Sequence, residues 1–363
     1  MGAIVVTRSR HGVRPVSVSN AISLHRLPFT ALTLATGLAG MALAATPLAR
    51  QWGLGTLALS LLIGLLVAQP LPADWRRQGA PALALFKGPV LKAAIVLYGL
   101  RIPLQAVGEL GIGVILLDAA QILISLGLAL WLGRRLLGMS QPAALLIGAG
   151  NGICGAAAVL AAEPVLGGKN RDTAMAVAAV VVFGTLNMLL LPLAYHQWPD
   201  LLGDPQRFAL FTGATVQEVA QVIVAAQAMS PALVDTALLV KMIRVMMLAP
   251  TLLLLVALVN RQHRQRPGAE APARPGGGVR MPPFALLFVA ALVVNGVGLV
   301  PDALAPHIAA LDDILLALAM AALGLSTHVD LLRQAGWRPL ALGALLWAVT
   351  LLVGALALAF LPI

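Results

Sequence analysis

Three charged residues stand inside long apolar runs of this sequence, where an unpaired charge is costly. They are Glu218, Lys241 and Arg244. Lys241 and Arg244 are three positions apart, so a helix would place both cations on one face. An ionisable side chain in such a run needs a partner, water or a function. The cluster therefore predicts either a polar cavity for an anion or an ion pair between Glu218 and Arg244 that locks two helices together.

Amide and hydroxyl side chains accompany the carboxylate. Gln217 and Gln221 flank Glu218, and Thr215 precedes it where the sequence Thr-Gly-Ala-Thr interrupts the apolar segment. A cavity lined by one acid, two amides and two cations suits an anion that also needs hydrogen-bond donors.

Asp118 and Gln121 are a weaker candidate group. They share a helix face and could pair with Lys92. A structural ion pair and a coupling-proton site both remain open for Asp118.

A further candidate group would bind an anion through backbone N–H groups rather than through charged side chains. Four glycines fall between Gly148 and Gly155, and glycine lets a helix break. A half-helix beginning near Cys154 or Gly155 would direct free N–H groups and a positive dipole end at the break, which suits an anion. Alternatively, the glycines only allow close helix packing. The candidate substrate-binding residues of the two groups are Asn151, Gly152, Ile153, Cys154, Gly155, Thr215, Gln217, Glu218, Gln221, Lys241 and Arg244.

The elements that carry these residues belong in a membrane. Of 363 residues, 60% are apolar and only 10% are charged, against roughly 45–50% and about 25% in soluble domains. Lipid cannot satisfy an open sheet edge, so the spanning elements must be helices. We predict an all-α polytopic membrane protein with about nine full spans plus two broken or re-entrant segments, at 141–163 and 208–229.

Basic residues cluster in short segments between the apolar runs rather than on one face, which is the positive-inside pattern. The net charge of +10 therefore indicates how the chain is oriented in the membrane. It does not indicate nucleic-acid binding. We expect a cytoplasmic N terminus and a periplasmic C terminus. The predicted regions are a basic cytoplasmic tail over 1–27, a transmembrane region over 28–260, a cytoplasmic linker over 261–280 and a last transmembrane region over 281–363.

Weak internal matches predict inverted repeats. Gly150 and the segment 172–174 recur in the same register as Gly213 and the segment 235–237. If the two broken segments enter the membrane from opposite sides, the matched elements point in opposite directions, as in many secondary transporters.

Several longer motifs resemble the YeiH-like family of bacterial inner-membrane proteins, which is also labelled as sulfate exporters. The motifs are Asn151 to Leu160, Val182 to Asn187, Gly213 to Val222 and Val240 to Met246. The resemblance implies a distant similarity to the cation/proton antiporter and anion transporter group, in which inverted repeats build a core domain beside a scaffold domain. Binding in that group is typically at broken helices, which here are the segments already chosen from their residues.

Signatures of soluble enzymes are missing, including phosphate loops, dinucleotide fingerprints, zinc-type Cys/His spacings and nucleophile elbows. We therefore expect no enzymatic activity, no cofactor and no metal. The favoured function is export of a small anion such as sulfate, sulfite or an organosulfonate across the bacterial inner membrane by secondary active transport. The alternatives are a cation/proton antiporter that uses Glu218, and a membrane receptor or sensor module. The expected partners are the anion, the lipid bilayer, a coupling H+ or Na+, and a second copy of the chain in a homodimer.

Overall fold

The computed structural model describes residues 27–47, 49, 55–103, 110–264, 283–328, 330 and 335–360. Within these ranges the regular secondary structure is helical and contains no strand. Residues 1–26 of the predicted tail and 265–280 of the predicted linker lie outside the described residues, as does the C-terminal Ile363.

The structure describes fifteen α-helices that position the site. In chain order they are α1 (Leu27–Ala44), α2 (Thr56–Ala68), α3 (Ala73–Leu85), α4 (Leu91–Gly99), α5 (Gly111–Trp131), α6 (Gln141–Gly152), α7 (Ala156–Leu166), α8 (Asn170–Gln197), α9 (Pro205–Thr215), α10 (Val219–Met229), α11 (Val234–Met246), α12 (Leu248–Arg264), α13 (Pro283–Gly296), α14 (Ala305–Ser326) and α15 (Trp337–Phe360). A π-helical turn, Phe86–Val90, joins α3 to α4.

Six helical segments of the described chain are long and apolar enough to cross a bilayer. They are Ala73–Gly99, Gly111–Leu136, Arg171–Gln197, Pro231–Arg261, Ala305–Ser326 and Trp337–Phe360. The predicted number of about nine full spans is not confirmed. Two apolar runs that suggested it form shorter helices, because α1 ends at Ala44, just before Pro47, and α13 ends at Gly296, before the left-handed Gly298.

The helices pack in two groups, which touch where α2 meets α10 and where α11 meets α13. The scaffold group consists of α1 to α4 with α13 and α14, and the hairpin group consists of α5 to α12 with α15. In the scaffold group, α2 and α14 touch through their backbones. A Cβ atom at Gly324 would lie 2.2 Å from the carbonyl oxygen of Leu61, and one at Gly64 would lie 2.5 Å from that of Ala321. Both crossing points therefore require glycine.

Helices α6 and α7 form the first hairpin. A Cβ atom at Gly150 would lie 2.7 Å from Val159 Cγ2, and one at Gly168, after α7, would lie 3.9 Å from Cβ of Pro142 at the start of α6. The chain reverses at Gly155, which has φ +68°, a backbone conformation suited to glycine. Both ends of the segment predicted to be broken at 141–163 therefore lie on the same side.

Helices α9 and α10 form the second hairpin. Thr236 Oγ1 donates to Gln206 Oε1 at 3.1 Å, and His196 Nε2 lies 2.9 Å from the carbonyl oxygen of Ala228. The end of α8, the start of α9, the end of α10 and the start of α11 are thus neighbours. Because α8 has 28 residues, it extends about 42 Å from the base of the first hairpin to that of the second. The two hairpins therefore enter from opposite ends, while the inverted-repeat relationship itself stays a prediction.

Candidate functional site

The tips of the two hairpins, residues 153–155 and 216–218, meet at one buried ammonium group. Lys241 Nζ donates to the carbonyl oxygen of Ile153 at 2.7 Å and to that of Val216 at 2.8 Å. These residues directly follow α6 and α9, and the last carbonyls of a helix lack partners within it. Lys241, a predicted substrate-binding residue, is hydrogen-bonded to the backbone at both breaks.

Amide side chains extend the contact between the tips. Gln217 Nε2 donates to Asn151 Oδ1 at 3.2 Å, and Asn151 Nδ2 donates to Thr350 Oγ1 of α15 at 2.9 Å. The structure therefore brings together two predicted site residues from different hairpins, as a buried polar network.

Three other predicted residues contact the helices that surround the two tips. The hydroxyl of Thr215 donates to the carbonyl oxygen of Phe211 within α9 at 2.7 Å, which is a common interaction within a helix. Gln221 is fully buried, and its Nε2 donates to Thr185 Oγ1 of α8 at 3.4 Å. Gly152 packs against Ser125 of α5, where an added Cβ would lie 3.0 Å from that residue's Cβ. All three residues therefore contact α9, α8 or α5 rather than the tip of the opposite hairpin.

Arg244 makes a buried ion pair with a different acid from the one predicted. Its Nε and Nη2 donate to Asp118 Oδ1 at 2.8 and 2.5 Å, and both side chains are fully buried. Nη2 also donates to Gln121 Oε1. The predicted pairs Glu218 with Arg244 and Asp118 with Lys92 are therefore corrected. Arg244 lies one helical turn after Lys241 on α11, and its side chain reaches Asp118 on α5. Glu218 lies at the second tip.

A cavity of about 300 Å³ lies between the scaffold group and the hairpin tips. From the scaffold group it is lined by Lys87 and Lys92, and by Ser326 and Thr327 at the end of α14. From the hairpin group it is lined by Cys154, Ala156, Ala157, Val177, Val181, Glu218, Val219 and Ala220. Neither Lys241 nor Arg244 is among its lining residues. Of the predicted site residues, Cys154 and Glu218 line this cavity.

The first turns of α7 and α10 both face this cavity. The residues that precede these helices, Gly155 and Glu218, do not cap their own helices through a side chain. The first N–H groups of a helix have no partner within it, and they carry a partial positive charge. Ala157, Val219 and Ala220 therefore present backbone donors beside the cavity.

Glu218 contacts the opposite hairpin rather than its own. Its Oε1 accepts a hydrogen bond from the backbone N–H of Ala156 at 3.4 Å. A Cβ atom at Gly155 would lie 2.4 Å from Glu218 Cγ, so glycine is needed there for the acidic side chain to cross. The only carboxylate among the lining residues thus lies at the N terminus of α7.

Lys87 and Lys92 add positive charge from the scaffold side. Within the described part of the chain, the Lys87 ammonium has no hydrogen-bond or ion-pair partner. Lys92 Nζ lies 5.9 Å from the centroid of the Phe284 ring. Sequence reasoning missed Lys87 as a site residue. The signal that could have found it is its position in the middle of a candidate membrane span, Ala73–Gly99, where charge is costly.

The fold and this site define a class of protein: a helical membrane protein in which two opposed hairpins meet beside a cavity with an excess of positive charge. Over residues 29–343 the chain matches the family described as "Conserved hypothetical protein 698". No solved structure matches the chain.

Named relatives agree with this family. The chain is 42% identical to the UPF0324 membrane protein PA5383 of Pseudomonas aeruginosa over 334 residues, which cover 89% of this chain and 91% of that protein. It is 37% identical to the UPF0324 inner membrane protein YeiH of Escherichia coli over 323 residues, 87% of this chain and 89% of that protein. The chain therefore belongs to the UPF0324 family of YeiH-like membrane proteins, and the predicted family resemblance is confirmed.

Proposed function

We propose that this protein is a secondary active transporter of a small anion, with sulfate and organosulfonates as the first candidates, in the bacterial inner membrane. One observation carries the proposal. Two helix N termini and two lysines converge on a single cavity between the two helix groups. A helix N terminus is a general anion-binding feature, and lysine is a common partner for phosphate-like groups.

The charges around the cavity support an anion rather than a cation. Lys87 and Lys92 lie opposite one carboxylate, that of Glu218. The N termini of α7 and α10 each add about half a positive charge. An oxyanion could accept hydrogen bonds from the first turns of both hairpins and from Lys87. A cation would meet only the Glu218 carboxylate as a strong ligand.

The position of the cavity supports access of the anion from the cytoplasmic side. Its lining includes Phe284 at the start of α13 and Thr327 after α14. Those helix ends adjoin the basic segments 261–280 and 333–338, which the positive-inside rule assigns to the cytoplasm.

Counterflow in proteoliposomes tests the proposal. Vesicles loaded with unlabelled sulfate, thiosulfate or methanesulfonate should take up the labelled anion from outside. Lys87→Gln should raise the KM for that anion about ten- to hundredfold, because a charge-assisted hydrogen bond is worth about 1.5–3 kcal/mol. Lys169→Gln is the matched control, since Lys169 is exposed at the base of the first hairpin, outside the cavity.

Two results would contradict anion transport. One is an absence of counterflow for every anion with well-folded wild-type protein. The other is exchange of Na+ or K+ for protons, measured with a pH-sensitive dye and lost in Glu218→Gln. That second result would instead identify the cation/proton antiporter considered from the sequence.

A further inference from the structure

The Glu218 carboxylate occupies a position that a bound anion would also use. It accepts from the N–H of Ala156 at 3.4 Å, and both residues line the cavity. It reaches this position from the second hairpin, leaving the N terminus of α10 without a side-chain cap. The carboxylate therefore lies at the N terminus of α7, where a bound anion would also accept hydrogen bonds.

Positive groups surround this carboxylate from several elements. Lys87 and Lys92 face it across the cavity from the π-helical turn and from α4. Lys241 of α11 binds the carbonyl oxygen of Val216, two residues before it, and the Cys154 thiol lines the cavity from the first tip. The lining residues of α8, α13 and α14 are uncharged. Glu218 is therefore the acidic group whose charge an arriving anion must face.

We propose that Glu218 couples anion binding to protons, with one proton taken up by Glu218 for each anion bound. This proposal rests on the proposed anion transport. The ionised carboxylate repels an anion and competes with it for the first N–H groups of α7. The protonated carboxyl group carries no charge, so the N terminus of α7 and the lysines become available to the anion.

The direction of the pH effect follows from linkage. An anion that binds better when Glu218 is protonated must raise the proton affinity of Glu218 by the same factor. Anion affinity is then highest at low pH and falls as pH rises, by at most about tenfold per pH unit for one linked proton. A proton and an anion therefore cross the membrane in the same direction.

Calorimetry on purified wild-type protein measures the linked proton without any mutation. Sulfate is titrated at about pH 7 in bis-Tris and in Tris, two cationic buffers with different protonation enthalpies. Sulfate does not itself titrate near this pH, so proton uptake by the protein appears as a difference in the observed binding heat. We expect such a difference for the wild type and none for Glu218→Gln. The matched control, Glu163→Gln, carries the same change on α7 outside the cavity and should behave like the wild type.

Flux measurements separate failure of coupling from failure of transport. An outside-acid pH gradient should drive sulfate uptake by the wild type and by the control Glu163→Gln, whose changed residue lies outside the cavity, but not by Glu218→Gln. If the wild type shows no counterflow, the proposed function fails. If counterflow occurs but the pH gradient has no effect and the two buffers give equal binding heats, anion transport stands and the proton-coupling role is overturned.

Discussion

Replacing Arg244 by Gln tests the buried ion pair most directly. Asp118 Oδ1 accepts both short hydrogen bonds from Arg244, while Asp118 Oδ2 has no partner among the described residues. Removing the guanidinium leaves the Asp118 carboxylate in the protein interior without its direct ion-pair partner. The substitution should therefore destabilise the contact between α5 and α11.

The size of the effect follows from burial, because both side chains are fully buried. Breaking one partner of such a pair costs about 3–5 kcal/mol. The free energy of unfolding in detergent should fall by this amount, and the melting temperature should fall with it. Neutralising the acid as well, in Arg244→Gln with Asp118→Asn, removes the stranded charge and should restore most of this loss.

Thermal unfolding in detergent, followed by tryptophan fluorescence, measures both variants. The matched control is Arg244→Gln combined with Glu218→Gln, which neutralises the acid that the sequence pairs with Arg244. We expect this control to be as unstable as the single variant, because Glu218 contacts Ala156 rather than Arg244. Recovery by Glu218→Gln but not by Asp118→Asn would refute the pairing. A single variant with an unchanged melting temperature would refute the assigned cost.

Two further predictions test the packing and the topology. Gly324→Ala should lower the melting temperature by the equivalent of about 1–3 kcal/mol, because its Cβ would lie 2.2 Å from the carbonyl oxygen of Leu61. Gly127→Ala, which meets no atom within 4 Å, should not; equal melting temperatures would contradict the close crossing. In a cysteine-free background, cysteines at Arg135 and Lys169 should react with an impermeant maleimide from the cytoplasmic side, and one at Asp200 from the periplasmic side. Labelling of Arg135 and Lys169 from opposite sides would exclude the first hairpin.

The local features of the site could be predicted because each depends on a few neighbouring residues in the sequence. The glycines between Gly148 and Gly155 predicted a break, and α6 ends at Gly152 with α7 beginning at Ala156. The second break was predicted at Thr212 to Thr215, but α9 continues through Thr215 and the tip follows at residues 216–218. Helical structure throughout the described ranges follows from the apolar composition, since lipid leaves few alternatives.

Pairing between distant residues could not be predicted in the same way. Asp118 and Arg244 are 126 positions apart, and nothing in the periodicity of either helix chooses Arg244 over Lys92 as the partner of Asp118. The partners of Lys241 are backbone carbonyls, which every residue carries, so no side-chain pattern could identify them. Lys87 approaches the tips only because the scaffold group packs against the hairpin group.

Lys241 also limits how the two hairpins can move. Its ammonium shares hydrogen bonds between Ile153 of one hairpin and Val216 of the other. Sliding one tip past the other by even an ångström or two would lengthen a buried, charge-assisted bond, which is among the strongest kinds in proteins. The two half-helices α7 and α10 must therefore travel as a single rigid unit. Any change in the size of the cavity then has to come from displacement of the opposite wall, formed by the π-helical turn, α4, α13 and α14.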